Sequence, residues 1–334
     1  MRRLMSWCVA TLAVSAIAQT AGAQTAGAPL IGGLPNVEDM VATADGRWVV
    51  ASAMKGGGQP QGALYLVDAA SRAVVKADLA PAAGTARCRD GFRPERLAPH
   101  GLALQPGSDG EILFVVNHGD RESVERFRLT GLAGAPRLQW EDCVPLPPGL
   151  AGNGVAAAGG SIFVTGSASA GAPGALLQWS EAAGWRALPG SERKGWNGIV
   201  ASPDGRRIYA AAWRDRRVFE YVEGAAGPAR SVAADFMPDN LHWAPDGSIL
   251  VAGQDGKPEA VAGCYFSAAT ACGVPSGLGR LDPATMAWTC TRRLDAAPGF
   301  DTATSATAVN GELWLGTTRG QSVMVASDCR PGGK

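Results

Sequence analysis

The stretch 197-NGIVASPDGRRIYAAAW-213 runs from one apolar strand, through a Pro-Asp-Gly turn, into a second apolar strand. An Asp-Gly pair supplies the positive φ of a tight hairpin, and the short apolar runs on either side suit strands. The arrangement recurs in VATADGRWVVASA (41–53), LALQPGSDGEILFVVNH (102–118), VAAAGGSIFVTGS (155–167), LHWAPDGSILVAGQ (241–254) and TAVNGELWLGT (307–317). The turn glycines Gly46, Gly110, Gly160, Gly205, Gly247 and Gly311 are spaced about 40 to 65 residues apart. A β-hairpin recurring at this period marks a propeller blade, so the six copies predict an all-β fold, a six-bladed β-propeller. A β-sandwich would not enforce the repeat.

Further strand candidates follow the first five copies, such as 217–223 and 228–236 in the fourth, which makes four strands per blade. The last copy leaves three obvious strands before the chain runs out near Cys329, and the segment around Pro29–Gly33 is expected to supply the fourth and close the ring. Helix is expected to be scarce. The longest insertion, 255–276, interrupts the fifth blade and is the expected lid if it projects from the site face.

Composition narrows the setting. Thirty basic and thirty acidic side chains balance, so no electrostatic case exists for a nucleic acid or an anionic membrane as partner. The amino terminus has a basic start (Arg2, Arg3), an apolar stretch from Trp7 to Ala18 and a small-residue site, Ala21-Gly22-Ala23. It reads as a secretory signal over 1–23, ahead of a single propeller domain over 24–334 in the periplasm or outside the cell. No later segment is apolar for long enough to predict a membrane span. Cys8 leaves with the signal, and six cysteines remain. An even count in an exported chain suggests disulfides, with 15 possible pairings. Cys264–Cys272 is the first choice, followed by Cys88–Cys143 and Cys290–Cys329.

The first strand of each blade lines the central channel. Counting back from each turn glycine gives one position per blade at a single mouth: Glu38, His100, Asn153, Asn197, Asp239 with Asn240, and a Ser or Thr around Thr304. Blade two fits if its turn is two residues longer. The set holds carboxylate and amide oxygens and no Lys or Arg. Two carboxylates without a counter-charge repel, and a divalent cation removes the conflict. Hard oxygen donors suit Ca²⁺, whereas zinc or copper would want more imidazole or thiolate. Asn153-Gly154 and Asn197-Gly198 could each be turn dipeptides, but that does not explain Glu38 and Asp239 in the same register.

With these residues in hand, VEDM, PHGLAL, FVVNH, NGIVASPDGRRIY and DNLHWAPDGSILV resemble segments of the serum paraoxonase/arylesterase family. More distantly they are similar to the SMP-30/gluconolactonase and strictosidine-synthase-like propellers. The resemblance runs from Asn36 to Gln254. It implies a six-bladed propeller with a catalytic Ca²⁺ held by Glu38, Asn153, Asn197, Asp239 and Asn240. It also implies a second, structural Ca²⁺ at Asp39 and an acid after the blade-three Asn. Here that position is Gly154, which puts the second ion in doubt and leaves Asp39 to water or backbone.

The resemblance further implies a histidine pair, His100 and His118, beside the metal. A hairpin would bring both to its open end, where one imidazole could accept a proton from water while the other orients it. His118 as a structural hydrogen-bonding residue is an equal alternative, and His242, inside its strand, reads as structural. The implied chemistry is Ca²⁺-assisted hydrolysis of a small-molecule ester or lactone with His100 as general base; direct attack by Asp239 is a second route. No GxSxG elbow supports a serine esterase. Trp196 and Trp213 could line an acyl or aryl pocket or belong to blade core. A non-catalytic binding or sensor platform and a sugar lactonase remain the competing functions. Substrate identity and oligomeric state have no signal in the sequence.

Overall fold

The computed structural model describes residues 27–168 and 173–329, so the predicted signal at 1–23 lies outside the described residues. After β1 (Leu30–Gly32), blade one comprises β2 (Val37–Ala42), β3 (Trp48–Ala53), β4 (Ala63–Asp68) and β5 (Val74–Lys76). Blade two is β6 (Pro99–Gly107), β7 (Gly110–Asn117), β8 (Ser123–Thr130) and β9 (Arg137–Pro145). Blade three is β10 (Leu150–Ala158), β11 (Ser161–Ala168), β12 (Ala175–Ser180) and β13 (Gly184–Ala187). Blade four is β14 (Trp196–Ala201), β15 (Arg207–Ala212), β16 (Arg217–Val222) and β17 (Pro228–Ala233). Blade five is β18 (Met237–Trp243), β19 (Ile249–Gln254), β20 (Ser276–Asp282) and β21 (Ala287–Leu294). Blade six is β22 (Ala303–Val309), β23 (Glu312–Thr317) and β24 (Ser322–Ala326), completed by β1. The fold is the six-bladed propeller of four-stranded antiparallel sheets that the repeat predicts.

The hairpin turns form as the Asp-Gly chemistry requires. Gly46, Gly110, Gly160, Gly205, Gly247 and Gly311 all have positive φ. In blade one Asp45 accepts from Thr43 Oγ1 (2.6 Å) and the Arg47 amide (3.0 Å), and Asp204 repeats this in blade four with Ser202 and Arg206. Blade two departs from the expected longer turn. Gly107 pairs with Gly110 across a two-residue turn, and the extra length lies in the strands β6 and β7.

Strand alternation builds the core as wedges between blades. Trp48 and Val50 pack with Leu113 and Phe127 of blade two, whereas Val49 and Ala51 face Trp314 and Val323 of blade six. Both faces of each inner hairpin are therefore buried, and the apolar clusters each bridge two neighbouring blades. Trp196 belongs to one of these wedges, packed on Phe219 and Tyr221, so it is blade core.

The ring closes where the chain ends meet. Ile31 of β1 pairs with Val323 of β24 and is buried against blade one. The predicted disulfides are all present: Cys88–Cys143, Cys264–Cys272 and Cys290–Cys329, with Cα separations of 5.9, 5.5 and 5.8 Å. They fit an oxidising, exported setting. Cys290–Cys329 ties β21 to the tail beyond β24 and braces the closure from the blade-five side.

Replacing both Cys290 and Cys329 with Ser should lower stability by about 3 to 4 kcal/mol, the chain-entropy value for a loop of this size. Urea unfolding reads this directly, and an unchanged midpoint would show that the bridge does not brace the ring.

Candidate functional site

The six ring positions lie inside the innermost strands rather than ahead of them, and the reason is a shared irregularity. In every blade the pairing of the first strand with the second breaks at this point: between Val37 and Asp39, Pro99 and Leu102, Gly152 and Val155, Trp196 and Ile199, Pro238 and Leu241, and Ala303 and Ser305. Each break is bulge-like, with one more residue on the inner strand than on its partner. A bulge bends its strand and re-aims a side chain. Here it does so at Glu38, His100, Asn153, Asn197, Asp239 with Asn240, and Thr304.

The glycines after His100, Asn153 and Asn197 have a packing role. Gly154 and Gly198 are strand residues without positive φ, so Asn153-Gly154 and Asn197-Gly198 are not turns. A Cβ on Gly198 would sit 2.5 Å from the Asp239 carbonyl oxygen and the Asn240 Cα, and one on Gly154 2.9 Å from the Asn197 carbonyl oxygen. On Gly101 it would strike the Asn153 carbonyl oxygen. The inner strands of blades two to five thus approach backbone to backbone at the axis.

Contacts link these positions in a ring. Glu38 Oε1 lies 3.4 Å from His100 Nε2, which is 3.3 Å from Asn153 Nδ2. The backbones of Asn153-Gly154, Asn197-Gly198 and Asp239-Asn240 follow in contact. Asn240 Nδ2 donates to Glu38 Oε1 at 2.7 Å, and Thr304 Oγ1 to the Glu38 carbonyl at 2.7 Å.

Four side-chain oxygens on this ring are buried and have no hydrogen-bond partner: Glu38 Oε2, Asn153 Oδ1, Asn197 Oδ1 and Asp239 Oδ1. Each belongs to a different blade. Leaving one buried polar atom unpaired costs about 1–3 kcal/mol, so four acceptors at one site call for a common electrophilic partner. Among the described residues no group of three His, Cys, Asp or Glu forms a metal-ligating cluster, because half of these donors are amide oxygens. Burial pushes the Asp239 carboxyl well above its usual range, and the charge of Glu38 adds to it. That is the conflict two facing carboxylates create without a cation.

His100 and His118 meet as the hairpin requires. His100 Nδ1 lies 2.8 Å from His118 Nε2, and the His118 amide donates to the Ala98 carbonyl at 3.0 Å. On its far side His118 Nδ1 lies 2.8 and 3.0 Å from the two oxygens of Glu122. Burial draws the His100 pKa down, but the charge of Glu38, with that of Asp239 and Asp39, outweighs it and holds the imidazole above its ordinary value.

Asp39 accepts from backbone amides, as expected, and has His242 as an additional side-chain partner. Its Oδ1 accepts from Met40 N (2.8 Å) and lies 2.6 Å from His242 Nε2, and its Oδ2 accepts from Leu102 N (2.8 Å). The carboxylate is saturated and Gly154 offers no side chain, so these residues do not fit a second cation. The structural reading of His242 holds, with Asp39 as its context. That carboxylate raises the imidazole above its usual pKa against the effect of burial. Below the pair, a cavity of about 660 Å³ lined by His242, Leu102 and Val155 occupies the other end of the channel.

The blade-five insertion leaves β19 at Gln254, which pairs with Met237 at the start of β18, so it emerges beside Asp239. It carries α1 (Pro258–Tyr265) and the Cys264–Cys272 bridge. Arg319 of blade six donates to the Tyr265 carbonyl, and its guanidinium lies 5.0 Å over the Tyr265 ring. Burial, together with the charges of Glu38 and Asp239, raises the Tyr265 phenol pKa.

The sequence reading missed Glu122 and Gln254. Gln254 Nε2 donates to Asp239 Oδ2 at 2.6 Å while its Oε1 accepts from Trp213 Nε1 at 2.6 Å. Trp213 therefore steadies the site through Gln254. The only sequence signal for Gln254 is its place at the open end of the Asp239 hairpin.

No protein-family model and no curated protein matches the chain. Among solved structures, one provisionally assigned as a gluconolactonase is 15% identical, covers 94% of this chain and 96% of its own, and superposes with a TM-score of 0.56. The nidogen/laminin complex is 13% identical with a TM-score of 0.49, covering 79% of this chain and 83% of its own. At these identities the gluconolactonase match establishes the propeller fold and nothing finer.

Gly198→Ala tests the close approach at the axis. It should cost about 1–3 kcal/mol by overpacking against Asp239 and Asn240. Wild-type stability in urea would contradict the packing described.

Proposed function

We propose that this chain is an exported Ca²⁺-dependent hydrolase of esters or lactones. The observation that carries the reading is the set of four buried, donorless oxygens beside a histidine pair. Glu38, Asn153, Asn197 and Asp239 would hold the ion through those oxygens, with Asn240 beside them. Two carboxylates and neutral amides suit a hard cation of flexible coordination. Bound there, Ca²⁺ supplies a Lewis acid for a substrate carbonyl.

The chain's own residues do the rest. His100 Nε2 faces the ring between Glu38 and Asn153, where it can take a proton from a water as that water adds to the carbonyl carbon. His118 fixes the His100 ring from Nδ1. Asp239 is held through Oδ2 by Gln254, with Oδ1 in the ligand set, which favours a ligand role over direct attack. The insertion carrying Tyr265 emerges beside Asp239 and would exclude water from the blade-five side. The gluconolactonase assignment of a chain with this fold makes cyclic esters a natural part of the substrate panel. A binding platform would use the ion for stability alone; the histidine pair at the ring favours turnover. The signal predicted from the amino-terminal sequence and three disulfides support export to the periplasm or beyond.

Metal removal tests the ion. Adding Ca²⁺ to EDTA-stripped protein at 100 times its Kd should stabilise it by about 2.7 kcal/mol. Glu38→Gln and Asp239→Asn should lose that gain, while their stripped forms melt no lower than stripped wild type because one of two repelling carboxylates is gone. Melting indifferent to Ca²⁺ would refute the site.

Activity tests the chemistry. Phenyl acetate or an aliphatic lactone should be hydrolysed, and EDTA should abolish turnover. His100→Gln should lower kcat by about 10²–10⁴-fold while keeping the Ca²⁺-dependent melting shift. An unchanged kcat would remove His100 from the mechanism; Ca²⁺ stabilisation without turnover across the panel would favour the platform.

A further inference from the structure

We infer that Glu122 is a positioning residue that sets the proton polarity of the histidine pair, so that the His100 lone pair can face the ring; its catalytic consequence rests on the hydrolase reading. Between His100 Nδ1 and His118 Nε2, 2.8 Å apart, one nitrogen must carry the proton and the other the lone pair. Two arrangements are possible for a neutral pair. In the first, His118 is protonated at Nδ1 and accepts at Nε2 from His100 Nδ1–H, which leaves His100 Nε2 bare. In the second, His118 donates from Nε2, and the proton of His100 moves to Nε2, where it blocks the base.

Two carboxylates bear on the choice: Glu38 Oε1 lies 3.4 Å from His100 Nε2, and Glu122, closer and with both oxygens, lies against His118 Nδ1, so with a cation drawing on Glu38 the Glu122 contact decides. The Glu122 carboxylate, an acceptor only, meets His118 Nδ1 with both oxygens at 2.8 and 3.0 Å. The second arrangement would place a lone pair against that carboxylate. The first places a proton there, forming a charge-assisted hydrogen bond. The same tautomer of His118 is required if His100 carries two protons, since His118 must still accept at Nε2.

Glu122 is itself fixed. Its Oε2 accepts from the Gly152 amide of β10 at 3.3 Å and its carbonyl from the Leu146 amide, in the connection into blade three, at 2.9 Å. On the other side Asn153 Nδ2, 3.3 Å from His100 Nε2, can donate to the bared nitrogen. Glu122, His118, His100 and Asn153 thus form one line of like-oriented hydrogen bonds. When water attacks, its O–H bond breaks as the His100 Nε2–H bond forms; the hydroxyl oxygen bonds to the carbonyl carbon as the carbonyl π pair moves onto its oxygen, and when that pair returns the ester C–O bond breaks and the released alkoxide takes the proton from His100. Between these two proton transfers the positive charge on the imidazole pair lies in line with the Glu122 carboxylate.

The chain has only three histidines, so ¹⁵N NMR of histidine-labelled protein can resolve each ring. With Ca²⁺ bound and the rings neutral, His118 should carry its proton on Nδ1. In Glu122→Ala it should carry it on Nε2, the tautomer free imidazole prefers, and kcat should fall about 10- to 100-fold with KM little changed. Glu122→Gln keeps an acceptor and should restore the Nδ1 tautomer and part of kcat. The inference is overturned if His118 keeps its Nδ1 proton in Glu122→Ala, or if kcat is unmoved in an enzyme that turns over. If the wild-type chain hydrolyses no ester or lactone, the hydrolase reading falls and the NMR tautomer alone decides the role of Glu122.

Discussion

The close approach of the innermost strands at the propeller axis is the constraint on which the site depends. Six hairpins arranged radially bring their first strands to one narrow channel, and between blades two and five there is no room for a Cβ at Gly101, Gly154 or Gly198. A bulge in each first strand accompanies that crowding. The bulges fall at one polar position in each blade, and residues some two hundred positions apart, such as Glu38 and Asn240, come within hydrogen-bonding distance.

Burial then gives those side chains their chemistry. In water the four oxygens of Glu38, Asn153, Asn197 and Asp239 would each find a donor. At the axis none does so among the described residues, and two carboxylates facing one another raise the free energy of the ring. A site of this kind is prepared for positive charge before any ligand arrives. Preorganised polar groups of this sort are also how a site stabilises charge that develops during a reaction. One step deeper in the channel the opposite solution is used. Asp39 is satisfied by two backbone amides and the His242 imidazole, protein groups in the place of a metal.

Much of this was legible in the sequence because its causes are local. Asp-Gly and Asn-Gly turns mark hairpins, and a fixed distance back from each turn glycine reaches the channel, so Glu38, His100, Asn153, Asn197, Asp239 and the neighbourhood of Thr304 could be aligned without coordinates. Ring closure by a segment around Pro29–Gly33 was read from the strand count, and the pairing preferred among 15 possible ones is the pairing formed. What was not legible depends on long-range packing. The glycines after His100, Asn153 and Asn197 resemble turn formers until the neighbouring blade is present. The partner of His242 lies 203 residues away in blade one. Glu122 sits in a charged loop, and only the fold presses it against His118. Blade two was assigned a longer turn because sequence spacing cannot distinguish a longer turn from longer strands.

The central claim is that oxygens from four blades bind one cation at the axis. Calorimetric titration of Ca²⁺ into EDTA-stripped protein, repeated on an Asn153→Ala/Asn197→Ala variant that folds normally, tests it most directly. The account predicts one ion per chain for the wild type and a large loss of affinity in the variant, although no charge has been removed. Binding of equal strength in both proteins, or no binding to the wild type at millimolar free Ca²⁺, would contradict it.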